Sequence, residues 1–257
     1  MKKNIHFVDS YFHNPTHPIT LTVIGCGGTG SQVLTCLGRM NSTLLALGHP
    51  GLHVTAYDPD EVSEPNIGRQ LFSPGDTGLN KAIVLISRLN RFFGTAWEAH
   101  SQLYKHSVAS NITITCVDNV KSRLSLSDNI ILKKNSGNHY QPYMRSYYWL
   151  DFGNTADSGQ VVLGTTIEIK QPKSKKYKPI GKLPCVTEMF DLTQVKEKDS
   201  GPSCSLAEAL GKQDLFINST LANLGCNLLW KLFREGMIDH SGLYLNLKTM
   251  NVNPMPL

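Results

Sequence analysis

Gly25, Gly27, Gly28 and Gly30 stand directly after the β-branched run ITLTVIG and open the stretch GCGGTGSQVLTCLGRM. A G-x-G-x-x-G spacing between a strand and a helix lets the backbone approach a phosphate, while the helix N-terminus supplies N–H donors and partial positive charge. The chemistry implied is nucleotide binding. Asp58, at the tip of the next strand, is placed to accept hydrogen bonds from ribose hydroxyls. It lies further from the glycines than the roughly 20 residues usual in NAD-binding units, so residues 41–53 read as an insertion.

The segment DPDEVSEPNIGRQLFSPGDTGLNKA gathers Asp58, Asp60, Asn66, Arg69, Gln70 and Lys81 into one turn-rich stretch that leads into a helix. Hydride transfer has no use for such a set. Cleaving ATP between its α and β phosphates does, because charge builds on the α-phosphate and on departing pyrophosphate, where fixed cations and Mg2+ stabilise it. Arg69 can bracket phosphate oxygens and Lys81 can act as a point charge; the pair Asp118–Asn119, at a later strand end, is placed to hold the metal or the phosphates' water shell. Asp60 has a second reading, as a turn cap or a brace for Arg69.

Taken in order, GCGGTGS, D-x-D-x-V, N-x-x-R-Q, a Lys opening a helix and V-D-N resemble the ThiF/MoeB/E1 (ubiquitin-activating) superfamily of adenylating enzymes. The details HPGLHVTAYDPDEV, NRFFG and PSCSLAEAL resemble the ThiF-family member of the bacterial PRTRC cassette, encoded beside a ubiquitin-like protein and a JAB-type peptidase. The resemblance covers residues 19–170 and the final helix and strand. It implies an α/β, Rossmann-like E1/ThiF fold, a parallel βαβ nucleotide-binding half followed by antiparallel strands in one continuous sheet. It also implies ATP and Mg2+ as cofactors, ribose contact by Asp58, phosphate contact by Asn66, Arg69 and Lys81, and Mg2+ held through Asp118. The implied reaction is adenylation of the C-terminal carboxylate of a small ubiquitin-like partner with a free tail, by a homodimer.

In this family the acyl group can pass to a cysteine near the long loop. Cys204 is the better candidate because a predicted helix, SLAEALGK, follows it and would lower its pKa; Cys185 is the other. Two departures limit the transfer. The CxxC pairs that hold zinc in many relatives are missing, so no zinc site is expected. The N-terminal arm offers only Lys2 and Lys3 where several relatives send an arginine into the neighbouring subunit's site. A non-catalytic E1-like scaffold and an NAD(P)-dependent oxidoreductase stay open as competing readings.

The elements that must position these groups follow from periodicity. ITLTVIG and HVTAYD read as strands, residues 80–94 as a helix ending at glycine, ITITCVDN as a third strand, SYYWLDFG and GQVVLGTTIEIK as an antiparallel pair, 214–235 as a long helix and GLYLNLKTM as a last strand. The expected organisation is one ThiF/E1-like domain over 1–257, with an arm (1–18), a nucleotide-binding core (19–170), a long basic crossover-type loop (171–203) and C-terminal helices and strand (204–257). The net charge is +5, with the excess concentrated in Lys170–Lys182, which argues for a solvated loop or a docking surface for an acidic partner rather than nucleic-acid binding. No apolar run reaches the roughly 18–20 residues of a membrane span, and no leader develops, so a cytoplasmic protein with its six cysteines reduced is expected. Cys36 and Cys226 read as close-packed helix residues and Trp230 as core or dimer interface. Pro15 between His13 and His17 argues against a helical metal pair.

Overall fold

The computed structural model describes residues 2–105, 110–132, 141–194, 211 and 213–257. Cys204 lies outside the described residues.

The chain opens with β1 (Lys3–Phe7), then β2 (Ile19–Ile24), α1 (Gly28–Ala46), β3 (Leu52–Tyr57), α2 (Lys81–Phe93), β4 (Glu98–His100), β5 (Ile112–Thr115) and α3 (Val120–Leu132). There follow β6 (Tyr148–Asn154), β7 (Ser158–Thr165), β8 (Tyr177–Pro179), the short helix α4 (Val186–Met189), α5 (Ile217–Glu235), β9 (Met237–Ile238), β10 (His240–Asn246) and β11 (Asn251–Pro256). Eight strands form one sheet in the order β11-β10-β7-β6-β5-β2-β3-β4. From β4 to β6 the pairings are parallel, and from β6 to β11 antiparallel. The expected mixed sheet is therefore present.

Alternation along the strands sorts the core into two faces, as the period of two requires. Tyr148, Leu150 and Phe152 of β6 point to the face covered by α1, α2 and α5, where Val33, Leu34, Leu37, Leu85, Leu89, Leu221 and Leu229 are buried. Trp149 and Val162 point to the other face and pack with Leu126 of α3 and Val186 of α4. α2 shows why its boundaries were readable: the Asn80 side chain accepts from the Ile83 N–H at 3.1 Å, and Gly94 closes the helix in the left-handed conformation.

Several expectations are corrected. Residues 41–53 complete regular elements: α1 runs 19 residues to Ala46, a tight turn follows, and β3 begins at Leu52. Ser42 and Thr43 donate their hydroxyls to the carbonyls of Gly38 and Arg39 one turn back, so they continue the helix instead of ending it. Asn41 turns inward and accepts from the Leu52 N–H at 2.7 Å. The arm and the basic loop are also not free. β1 pairs in parallel with β8 and antiparallel with β9, making a second, three-stranded sheet. Lys3 pairs with Asp239 at 2.6 Å, and Lys182 donates to the Thr165 carbonyl and to Glu188. ITITCVDN is strand only as far as Thr115. No helix among the described residues is long and apolar enough to cross a membrane.

Candidate active site

β2 lies between β3 and β5, and the chain leaves β2 first toward β3 and later crosses to β5 on the other side. Helices therefore diverge from the carboxyl ends of β2 and β5, which opens a crevice at this switch point. A cavity of about 560 Å3 occupies it, lined by the glycine loop, the ends of β3, β5 and β6, the first turn of α3 and residues just before and at the start of α5.

The glycine loop is built by close approach. Gly25 has φ +91°, and a Cβ there would stand 2.8 Å from the Cys116 carbonyl oxygen. A Cβ on Gly30 would stand 1.9 Å from the Gly25 carbonyl oxygen, so α1 can start only with glycine at that position. Gly25, Gly27 and Gly28 line the cavity, whereas Gly30 is not among its lining residues and serves packing.

Asp58 fixes this loop to the strand beside it. One carboxylate oxygen accepts from the Cys26 N–H at 2.6 Å and the other from the Asp60 N–H at 2.9 Å. Burial raises its pKa, and those two backbone donors pull the other way. Asp60 does not brace Arg69: it pairs with Lys81 at 2.9 Å, and Lys81 is itself buried at the first position of α2. The Asn80 amide donates to the carbonyls of both Asp58 and Asp60, tying the helix start to the same loop.

Asn66 is the expectation most altered. It is not among the residues lining the cavity; its side-chain oxygen accepts from the Ser63 N–H and hydroxyl, forming a capping box on the turn Glu64–Asn66. Its backbone carbonyl accepts from the Gln70 N–H at 2.9 Å, so its work is to hold the turn that presents Arg69 and Gln70. Both of these line the cavity. Arg69 donates from Nη1 to the Gln213 side-chain oxygen at 2.8 Å, while its Nε and the Gln70 Oε1 are buried with no partner among the described residues. Buried polar atoms of this kind are costly unless a ligand engages them.

Asp118 and Asn119 stand at the rim. Asn119 caps α3, its oxygen accepting from the Ser122 N–H at 2.8 Å, and its amide donates to Asp118. Among the described residues no three His, Cys, Asp or Glu side chains cluster as a metal site. One exposed carboxylate fits a Mg2+ held mainly by a nucleotide's own oxygens and water. Cys185 is removed as a nucleophile: it is fully buried, its thiol faces the Thr165 carbonyl, and its N–H is capped by Glu188.

Sequence reasoning missed part of the lining. An aromatic wall of Tyr57 and Tyr104, with His100 stacked on Tyr57 at 4.7 Å, faces the cavity beyond Asp58, and burial pushes the Tyr104 phenol up to about 12. Gln213 and Asn218, far along the chain, join the glycine loop to Arg69. Thr29 donates to Asn218, and Asn218 and Arg69 both donate to Gln213. Beneath the cavity Arg123, 8% exposed, donates Nε to Asp151, 1% exposed, and Nη2 to the carbonyls of Val117 and Phe152. Burial raises the Asp151 pKa against the pull of Arg123. No local pattern signals these contacts, which depend on tertiary proximity alone.

The model of the ThiF family matches residues 16–254. No curated protein sequence matches the chain. Among solved structures, E. coli MccB is similar with TM-score 0.59 and 14% identity, over 93% of this chain and 62% of MccB. MccB with ATP gives 0.55 and 13%, over 93% and 63%. MccB with AMPCPP and selenomethionine MccA gives 0.57 and 13%, over the same shares. The chain thus spans less than two thirds of the length of these neighbours, and the likeness is one of fold.

Proposed function

Because the chain belongs to the ThiF family, we propose that it is an E1-like adenylyltransferase that activates the C-terminal carboxylate of a small ubiquitin-like protein with Mg·ATP. The observation that carries this reading is that Arg69, Gln70, Lys81 and Asp118 meet the glycine loop in one crevice at the carboxyl ends of parallel strands. An oxidoreductase site has no need of two cations there.

In this reading the triphosphate lies along the loop at Gly27 and Gly28, the ribose stands beside Asp58 and the base against Tyr57 and Tyr104. Asp58 already takes two backbone N–H groups, so it offers a ribose only its remaining lone pairs. The partner's carboxylate attacks the α-phosphorus, the bond to the bridging oxygen breaks, and pyrophosphate leaves. Arg69 Nε is a donor for the oxygens at the reacting end of the substrates, Gln70 Oε1 is an acceptor suited to an N–H of the partner's tail, and Lys81, held by Asp60, is a fixed positive charge. Asp118 would hold the Mg2+ that accompanies ATP, which would supply charge neutralisation to the pyrophosphate. MccB, a fold neighbour seen with ATP and with MccA, supports a peptide or small-protein tail as the acceptor of AMP. Cys204 as a later thioester carrier, and a homodimer, belong to the same proposal.

The test is ATP–pyrophosphate exchange by the purified protein with and without a β-grasp protein ending in a free glycine tail. Exchange that needs the partner and is lost in Arg69→Ala and Asp118→Ala supports adenylation. ATP binding without exchange for any such partner moves the assignment to a nucleotide-binding scaffold.

A further inference from the structure

Cys36 and Cys226, on separate helices, line one groove of about 240 Å3 between α1 and α5, together with Arg39, Met40, Asn223 and Trp230. The Cys36 thiol is partly exposed and donates to the Asn223 side-chain oxygen at 3.6 Å. Asn223 lies one helical turn before Cys226 on the same face of α5, so Cys36 sits over the turn that carries Cys226, which is 4% exposed. We propose that Cys36 and Cys226 form a peroxide-responsive pair that closes into a disulfide across the α1–α5 contact.

The two thiols are chemically unequal in the sense a sensor pair requires. Hydrogen bonding from Cys226 lowers the Cys36 pKa against the opposing effect of burial, and Arg39 lowers it further. Cys226 moves the other way, raised first by that same hydrogen bond and then by burial. Cys36 is thus the more acidic thiol, reached by oxidant from the groove, and Cys226 the resolving thiol behind it. The Cys36 thiolate attacks one oxygen of hydrogen peroxide, the O–O bond breaks and hydroxide leaves, giving the sulfenic acid. The Cys226 sulfur then attacks the Cys36 sulfur, the S–O bond breaks, and hydroxide departs with the Cys226 proton as water. In sum, two thiols and one peroxide give a disulfide and two waters.

The position gives the bond leverage. Cys36 lies eight residues after Gly28 and Cys226 eight after Asn218, and Gly28 packs directly on Asn218. The helices therefore run side by side in the same direction, and the disulfide would tie them about 12 Å from the nucleotide loop.

The experiment treats a Cys204→Ser protein with hydrogen peroxide, counts thiols in denaturant and maps peptides without reduction. The expected result is a fall from five thiols, the six of the sequence less one, to three, with the Cys36 and Cys226 peptides joined. Adding Cys36→Ser should abolish the loss. Replacing Cys226 with Ala instead should leave Cys36 as a sulfenic acid trapped by dimedone. Retention of five thiols, or a joined peptide lacking either residue, overturns the proposal. The readout is thiol chemistry, so it stands or falls apart from adenylation.

Discussion

Two arginines flank the same crevice and are treated in opposite ways by the fold. Arg123 is buried, and its donors go to a carboxylate and two backbone carbonyls. Arg69 is half-buried, donates to the Gln213 side chain, and keeps its Nε buried without a partner among the described residues. A buried, ion-paired cation of the first kind joins strand ends to a helix. A cation of the second kind holds a buried donor that an acceptor bound in the cavity would engage. The contrast separates a group that builds the site from a group that works in it, although both are arginines next to one cavity.

Substitution should break the pair apart. Arg123→Met leaves the Asp151 carboxyl buried without its counter-ion, and urea unfolding should show a loss of about 3–5 kcal/mol. Arg69→Ala should change unfolding stability by less than about 1 kcal/mol. Its cost should instead appear in partner-dependent pyrophosphate exchange, as a fall of about 10^2–10^3-fold. Equal losses of stability in the two variants would erase the distinction. Gln213→Ala frees the Arg69 fork without removing it, and exchange should fall about tenfold, the worth of one hydrogen bond to a charged group at ~1.5 kcal/mol. Farther from the crevice, Asp239 sits between Lys3 and His240 with its pKa drawn down to about 2, first by Lys3 and then by His240. A depressed carboxylate stabilises the fold above its unfolded value near 3.8 and loses that contribution as pH falls toward 2. Because the side chain is 38% exposed, solvent screening holds the effect to about 1 kcal/mol. Asp239→Asn should correspondingly flatten the drop in Tm across that interval.

Legibility in the sequence followed the range of the interactions. The glycine loop, α2 with its Asn80 and Gly94 caps, and the Arg69–Gln70 and Asp118 motifs are local, so their residue types report them directly. Asn66 was misplaced because spacing shows that a residue is near a site, not which way its amide turns; here Ser63 claims it. Residues 41–53 were set apart as an insertion, whereas they finish α1, with Ser42 and Thr43 bonding the preceding turn, and lead into β3. The strands β1 and β8 are three to five residues long, and each is defined by a partner far along the chain. Gln213, Asn218 and the Arg123–Asp151 pair carry no signal short of the tertiary fold.

The contact between Gly30 and the Gly25 carbonyl has one more consequence. With no clearance for even a methyl group, any side chain at position 30 would push the first turn of α1 off the end of β2. Gly25, Gly27 and Gly28, which face the cavity, would be displaced with it, although position 30 itself lines no part of that cavity. The phosphate cradle is thus vulnerable from behind, through a packing contact rather than through a ligand-facing group.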